Sequence, residues 1–112
     1  MDKFSKEVNN LQGIILRNGQ KVTVEEKNAN ELFSEGQCAV FVDNTKKEIF
    51  LWKGKKSHAR DRFSAAHLAE NLDKREFGGA GRIIQDAKRI KKTIASSEIE
   101  DIPQGILRSS GI

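Results

Sequence analysis

The chain has 112 residues, with 20 Lys and Arg against 16 Asp and Glu, a formal net charge of +4, one Cys, one Pro, one Trp and no Tyr. This length fits one domain of roughly 100–150 residues, and a lone cysteine can form no internal bridge, which points to a reducing compartment. A multidomain enzyme and a disulfide scaffold are thereby excluded, as is a membrane span, because no apolar run nears the ~18–20 residues one needs.

In chain order, Phe4, Val8 and Leu11 are spaced by four and three, which predicts a short amphipathic helix over residues 1–11. The same stretch lacks the apolar centre of a secretory leader. Ile14 to Arg17 and Gln20 to Val24 flank Asn18-Gly19, a hairpin signal because both turn residues tolerate positive φ. Glu25 to Gly36 is polar and reads as a connecting loop. Cys38 to Val42 is a continuous apolar run, the pattern of a strand covered on both faces. Asp43 to Lys47 is a polar turn, and Ile49 to Trp52 a second buried strand.

Ser57 is a plausible N-cap for a helix from His58 to Asp73 or slightly beyond. At ~100° per residue, Ala59, Phe63, Ala66 and Ala69 share one side, the expected inner face. Arg60, Ser64, His67, Asn71 and Lys74 share the opposite one, with Leu68 beside Ser64 and Asn71. Gly78-Gly79-Ala80-Gly81 stops the helix. Arg82 to Gln85 reads as a short strand, Asp86 to Ile94 as a helix, and residues 96–112 as an irregular tail.

No catalytic constellation is present. Cys38 lies in an apolar strand and reads as packing, since a reactive thiolate needs an exposed electropositive setting. His58 and His67 are nine residues apart, so they cannot face one metal from a single helix. The expectation is a protein that is not an enzyme. Two basic segments, Lys53-Gly54-Lys55-Lys56 and Lys88-Arg89-Ile90-Lys91-Lys92, suit a solvated face or an anionic partner. Poor aromatic interleaving disfavours nucleic acid.

The string Ala39-Val40-Phe41-Val42-Asp43, a turn, Ile49-Phe50-Leu51-Trp52-Lys53-Gly54-Lys55, a polar cap and Phe63-Ser64-Ala65-Ala66-His67-Leu68-Ala69 resembles the gelsolin-like domain of actin-binding proteins. The resemblance is firmest over residues 38–72. It implies an α+β fold spanning 1–112 as a single domain, with a mixed, about five-stranded sheet sandwiched between one long and one short helix. It also implies that the exposed face of the long helix enters the barbed-end cleft of actin or an actin homologue, so that the domain sequesters monomers or caps filaments in the cytoplasm. On this sequence that face is Arg60, Ser64, His67, Leu68 and Asn71, with Leu68 as the apolar anchor.

The resemblance further implies calcium. An internal site would use an acid early in the long helix, here Asp61, and a carboxylate at the start of the central strand, where this chain has Cys38 preceded by Gln37. Calcium needs several hard oxygen ligands, so this site is expected to be lost or weakened. A second site, shared with an actin acid, falls on Asp73, Gly78 and Ala80. Lys55, Lys56, Lys88, Arg89, Lys91 and Lys92 are candidate contacts for anionic lipid or nucleic acid, and phosphoinositide control of actin binding, for which relatives of the family use basic segments, is a compatible variant. Two alternatives remain beside actin binding: a basic module for anionic lipid or nucleic acid, and a structural gelsolin-like domain with no actin contact.

Overall fold

The structure, a computed structural model, describes residues 9–24 and 29–109. It contains β1 (Asn9–Arg17), β2 (Gln20–Val22), α1 (Ala29–Leu32), β3 (Cys38–Asp43), β4 (Glu48–Lys53), α2 (Ala59–Phe77), β5 (Arg82–Ile84), α3 (Ala87–Ala95), β6 (Ser97–Asp101) and α4 (Gln104–Ser109).

The sheet runs β2-β1-β3-β4-β5, with β6 also paired to β1. The predicted hairpin forms: Arg17 pairs Gln20 around Asn18 and Gly19, whose φ values of 52° and 80° give the turn that matches the strands' right-handed twist. β3 pairs antiparallel with both β1 and β4, so its six residues are all buried and its sequence is an unbroken apolar run up to Asp43. β5 joins parallel to β4, and β6 parallel to the first half of β1, which makes the sheet mixed and six-stranded where about five strands were expected.

Side chains alternate between two cores. On one face Ile14, Leu16, Val40, Val42, Ile49 and Leu51 pack against α2 and against Leu107 of α4. On the other, Leu11, Ile15, Ala39, Phe41 and Phe50 pack against Ile90 and Ile94 of α3 and Leu32 of α1. The sheet is therefore held between the long helix and a shorter one, as expected. Among the described residues no helix is long and apolar enough to cross a membrane.

Four local expectations change. Phe4 and Val8 lie outside the described residues, but Leu11 belongs to β1, where it is fully buried, and not to an amphipathic helix. The polar stretch before Gly36 holds the short helix α1. The N-cap of α2 is His58, in extended geometry and without a side-chain cap bond. Ser57 instead donates its hydroxyl to Gly54 O at 2.7 Å and accepts Arg62 Nε at 3.1 Å. Residues 97–109 are ordered as β6 and α4, not an irregular tail: the amide of Ile102 donates to Gly13 O at 3.0 Å, and Ile102 and Leu107 are buried in the α2 core.

Gly54 closes the approach to α2. A β-carbon there would collide with the backbone carbonyls of Glu35 and Gln37, because the segment leading into β3 crosses directly over it. The amide of Gly54 donates to Gln37 O and that of Lys56 to Glu35 O, at 3.0 and 2.8 Å. The glycine of the Trp52-x-Gly54 motif is thus a close backbone approach.

Candidate functional site

α2 lays Asp61, Ala65, Leu68, Ala69 and Leu72 against the sheet. Their spacing, i, i+4, i+7, i+8, i+11, is that of one helical face. The opposite stripe is Arg60, Phe63, His67, Glu70 and Lys74, all exposed. Among the described residues Phe63 is the one large apolar side chain left in solvent, at 76% exposure.

The expected face is therefore rotated by roughly one residue step of ~100°. Leu68, read as the exposed anchor, is 0% exposed and belongs to the core, so it can touch no partner. Phe63, read as core, takes the outward position. The rotation has a physical source. The inner stripe opens with a carboxylate, Asp61, and the outer stripe carries an aromatic, so residue type masks the spacing. Arg60 and His67 do lie on the exposed stripe, whereas Ser64 and Asn71 are half-buried along its flank.

The start of the stripe touches the hairpin. A β-carbon on Gly19 would sit 2.8 Å from Arg60 Cζ, so the Arg60 guanidinium rests on the bare turn. Beneath it, Asp61 is 1% exposed and accepts the amides of Asn18 and Gly19, each at 2.7 Å. Arg62 secures the other side of the helix entry, donating to Gly54 O and Lys55 O at 3.2 and 3.0 Å.

The residues expected at the internal calcium position do not fit that ion. Both Asp61 oxygens already face backbone N–H groups, whose positive ends repel a cation. Cys38 offers a buried thiol that donates to Ser57 Oγ at 3.4 Å, and the Gln37 side chain is bonded to Arg17 and to the carbonyls of Glu31 and Leu32. Asp61 is thus a structural acceptor here and not a weak calcium ligand.

At the other end of α2, Gly78 is the left-handed C-cap with φ 59°. The amide of Gly79 donates to Asp73 O at 3.1 Å, and that of Gly81 to Asp73 Oδ1 at 2.8 Å. The loop holding Gly78 and Ala80 is thereby folded back beside the Asp73 carboxylate. These are hard oxygen donors of the kind calcium takes. Among the described residues no three His, Cys, Asp or Glu side chains gather to hold a metal by themselves, so this group supplies at most part of a coordination shell.

The six basic residues are divided. Lys55 and Lys56 lie in the turn after β4, with Lys56 3.9 Å from Glu35. The other four are on α3, across the sheet from α2. Arg89 pairs with Glu48 at 2.8 Å, and Lys91 sits over the Trp52 ring, 5.1 Å from its centroid. Three of the six are therefore engaged within the chain, and nothing in their arrangement favours a phosphoinositide.

A scan against protein-family models and a search of curated proteins find no match. Among solved structures, the chain is similar to the Thorarchaeota protein 2DGel3 in its complex with rabbit actin, with a TM-score of 0.59 and 21% identity over 82% of this chain and 46% of that one. It is also similar to the Thorarchaeota protein ProGel in its complex with rabbit actin, with a TM-score of 0.53 and 18% identity over 90% of this chain and 99% of that one. The chain spans just under half the length of 2DGel3 and nearly all of ProGel. At these identities the likeness is one of fold.

Proposed function

We propose that this chain, which has the gelsolin-like domain fold, is an actin-binding module that uses the outer stripe of α2 as its contact face. The observation that carries the reading is Phe63, an aromatic held in water near the start of a polar, largely charged stripe on the long helix α2. Two structures of this fold, 2DGel3 and ProGel, are complexes with actin. An apolar side chain seated among charges is the usual layout of a helix-in-groove anchor with a polar rim. Fully burying a Phe side chain contributes ~1.5–3 kcal/mol, enough to dominate the affinity of a small contact.

In this reading Phe63 enters an apolar cleft on actin, with Arg60 and His67 on the same stripe and Ser64 and Asn71 along one flank. The domain acts by binding and performs no catalysis. One face on one domain suits sequestering a monomer or capping a filament end, and it suits severing poorly, since severing needs two linked contacts. Asp73 and the carbonyls of Gly78 and Ala80 are the groups that would hold a calcium ion at the edge of the contact, with the remaining ligands from actin. Such an ion would supply an electrostatic bridge between two acidic groups. A cytoplasmic setting follows from that partner.

The test is polymerisation of fluorescent actin with the full chain at equimolar ratio, in calcium and in EGTA. A change in rate or plateau that Phe63→Asp abolishes is the predicted result. No change in either buffer refutes actin binding and favours a structural role for the domain.

A further inference from the structure

We infer that Asp61 is a positioning residue for the outer face of α2: its buried carboxylate joins the helix to the β1–β2 turn, so that this joint closes without a bound cation. The turn leaves two donors over. Arg17 pairs with Gln20 to end the ladder, and the amides of Asn18 and Gly19, both at positive φ, have no strand partner. Asp61, the third residue of α2, meets both: Oδ2 accepts the Asn18 amide and Oδ1 the Gly19 amide, each at 2.7 Å.

Two peptide dipoles thus point their positive ends at one carboxylate in a site with 1% exposure. Such charge-assisted bonds are the strong ones, and N–H groups converging in this way favour an anion and oppose a metal ion. Among the described residues Asp61 has no ion pair, so the two amides are what compensates its buried charge. An acid in the first turn also suits the helix dipole.

The same turn meets the outer stripe. Arg60, next in sequence, lies over Gly19 in the space a side chain would fill. With Asp61 bonded to both turn amides and Arg60 against Gly19, two consecutive residues of α2 hold its first turn to the β1–β2 turn. Phe63 follows one turn later. The stripe is therefore set before any partner or ion arrives.

The binding part of this inference rests on the actin reading, whereas the joint itself does not, and the two are tested separately. In the free full chain, amide exchange by NMR is expected to show Asn18 and Gly19 protected at least 100-fold over an unstructured peptide, with identical resonances in 2 mM calcium chloride and in EGTA. Asp61→Asn keeps the shape but turns an NH2 group toward one of the two amides. It is expected to lower protection at those amides at least tenfold while the centres of β3 and α2 stay protected. It should also weaken actin binding in EGTA about tenfold, because the stripe loses its fixed orientation. Unprotected amides in the parent chain, or calcium shifting the resonances of residues 18, 19 and 61, would overturn the joint. Lost protection with unchanged actin affinity would overturn the positioning role. If the parent chain binds no actin, the proposed function and the positioning role fail together, and the exchange data still decide the joint.

Discussion

Leu68 and Phe63 are five residues apart on one helix and carry opposite duties. Leu68 is sealed between α2 and the sheet, whereas Phe63 touches little of its own chain. Large-to-small changes at sealed positions cost ~2–5 kcal/mol, through lost burial and the cavity left behind. Leu68→Ala should therefore lower the stability measured by urea unfolding by about 3 kcal/mol. Phe63→Ala should stay within ~0.5 kcal/mol of the parent. Actin affinity should respond in the reverse order, falling about tenfold or more for Phe63→Ala. Gly54→Ala belongs to the same scale. Its β-carbon meets two backbone carbonyls that cannot move independently of β3, so the urea midpoint should drop well below that of an exposed glycine such as Gly36, where a β-carbon meets nothing. At this scale the sequence was only half legible. The pattern 61, 65, 68, 69, 72 marks the inner face correctly, but only if spacing is allowed to outrank the charge of Asp61 and the apolar bulk of Phe63. That requires knowing where a buried carboxylate finds its donors, and the donors are turn amides more than 40 residues earlier in the chain.

The elements read most easily are those built from local pairs. β3, its turn, β4 and the start of α2 follow one another directly, and the apolar run from Cys38 stands for two-sided burial. The Asn18-Gly19 hairpin is equally local. β6 and α4 are the opposite case. Ser97–Asp101 carries one apolar residue, Ile99, between Glu98 and Glu100, and its partner is β1 at the far end of the sequence. Residues 9–13 depend on the same non-local pairing, so the spacing around Leu11 mimics a helix in the sequence alone. The C-terminal segment also binds the hairpin, since the amide of Val24 donates to Asp101 Oδ1 at 2.6 Å. A chain ending at Ser96 should therefore melt at a lower temperature and bind an apolar dye, because Ile14 and Leu16 lose the cover of Ile102 and Leu107. An unchanged melting temperature would show that β6 and α4 add nothing to the core.

For the whole molecule, the sheet divides two kinds of surface. The α2 side carries the stripe with Phe63, and the α3 side carries basic residues partly occupied by Glu48 and Trp52. If the proposed reading holds, one stripe gives a 1:1 complex with monomeric actin, which sedimentation velocity should resolve as one heterodimer peak with no larger species. On the proposed reading calcium at Asp73 needs ligands from actin, so calorimetric titration of the free chain with calcium should show no tight site. The architecture was legible as a sheet between two helices, while the exposed face of α2 was not, because a rotation of one residue step leaves the helix prediction intact and exchanges Leu68 for Phe63 at the surface. The most direct measurement is therefore the affinity of the full chain for actin monomers beside those of Phe63→Asp and Lys92→Asp, each checked for an unchanged melting temperature. The account predicts that Phe63→Asp removes binding and that Lys92→Asp, on the far side of the sheet, leaves it intact. Retained binding by Phe63→Asp would contradict it.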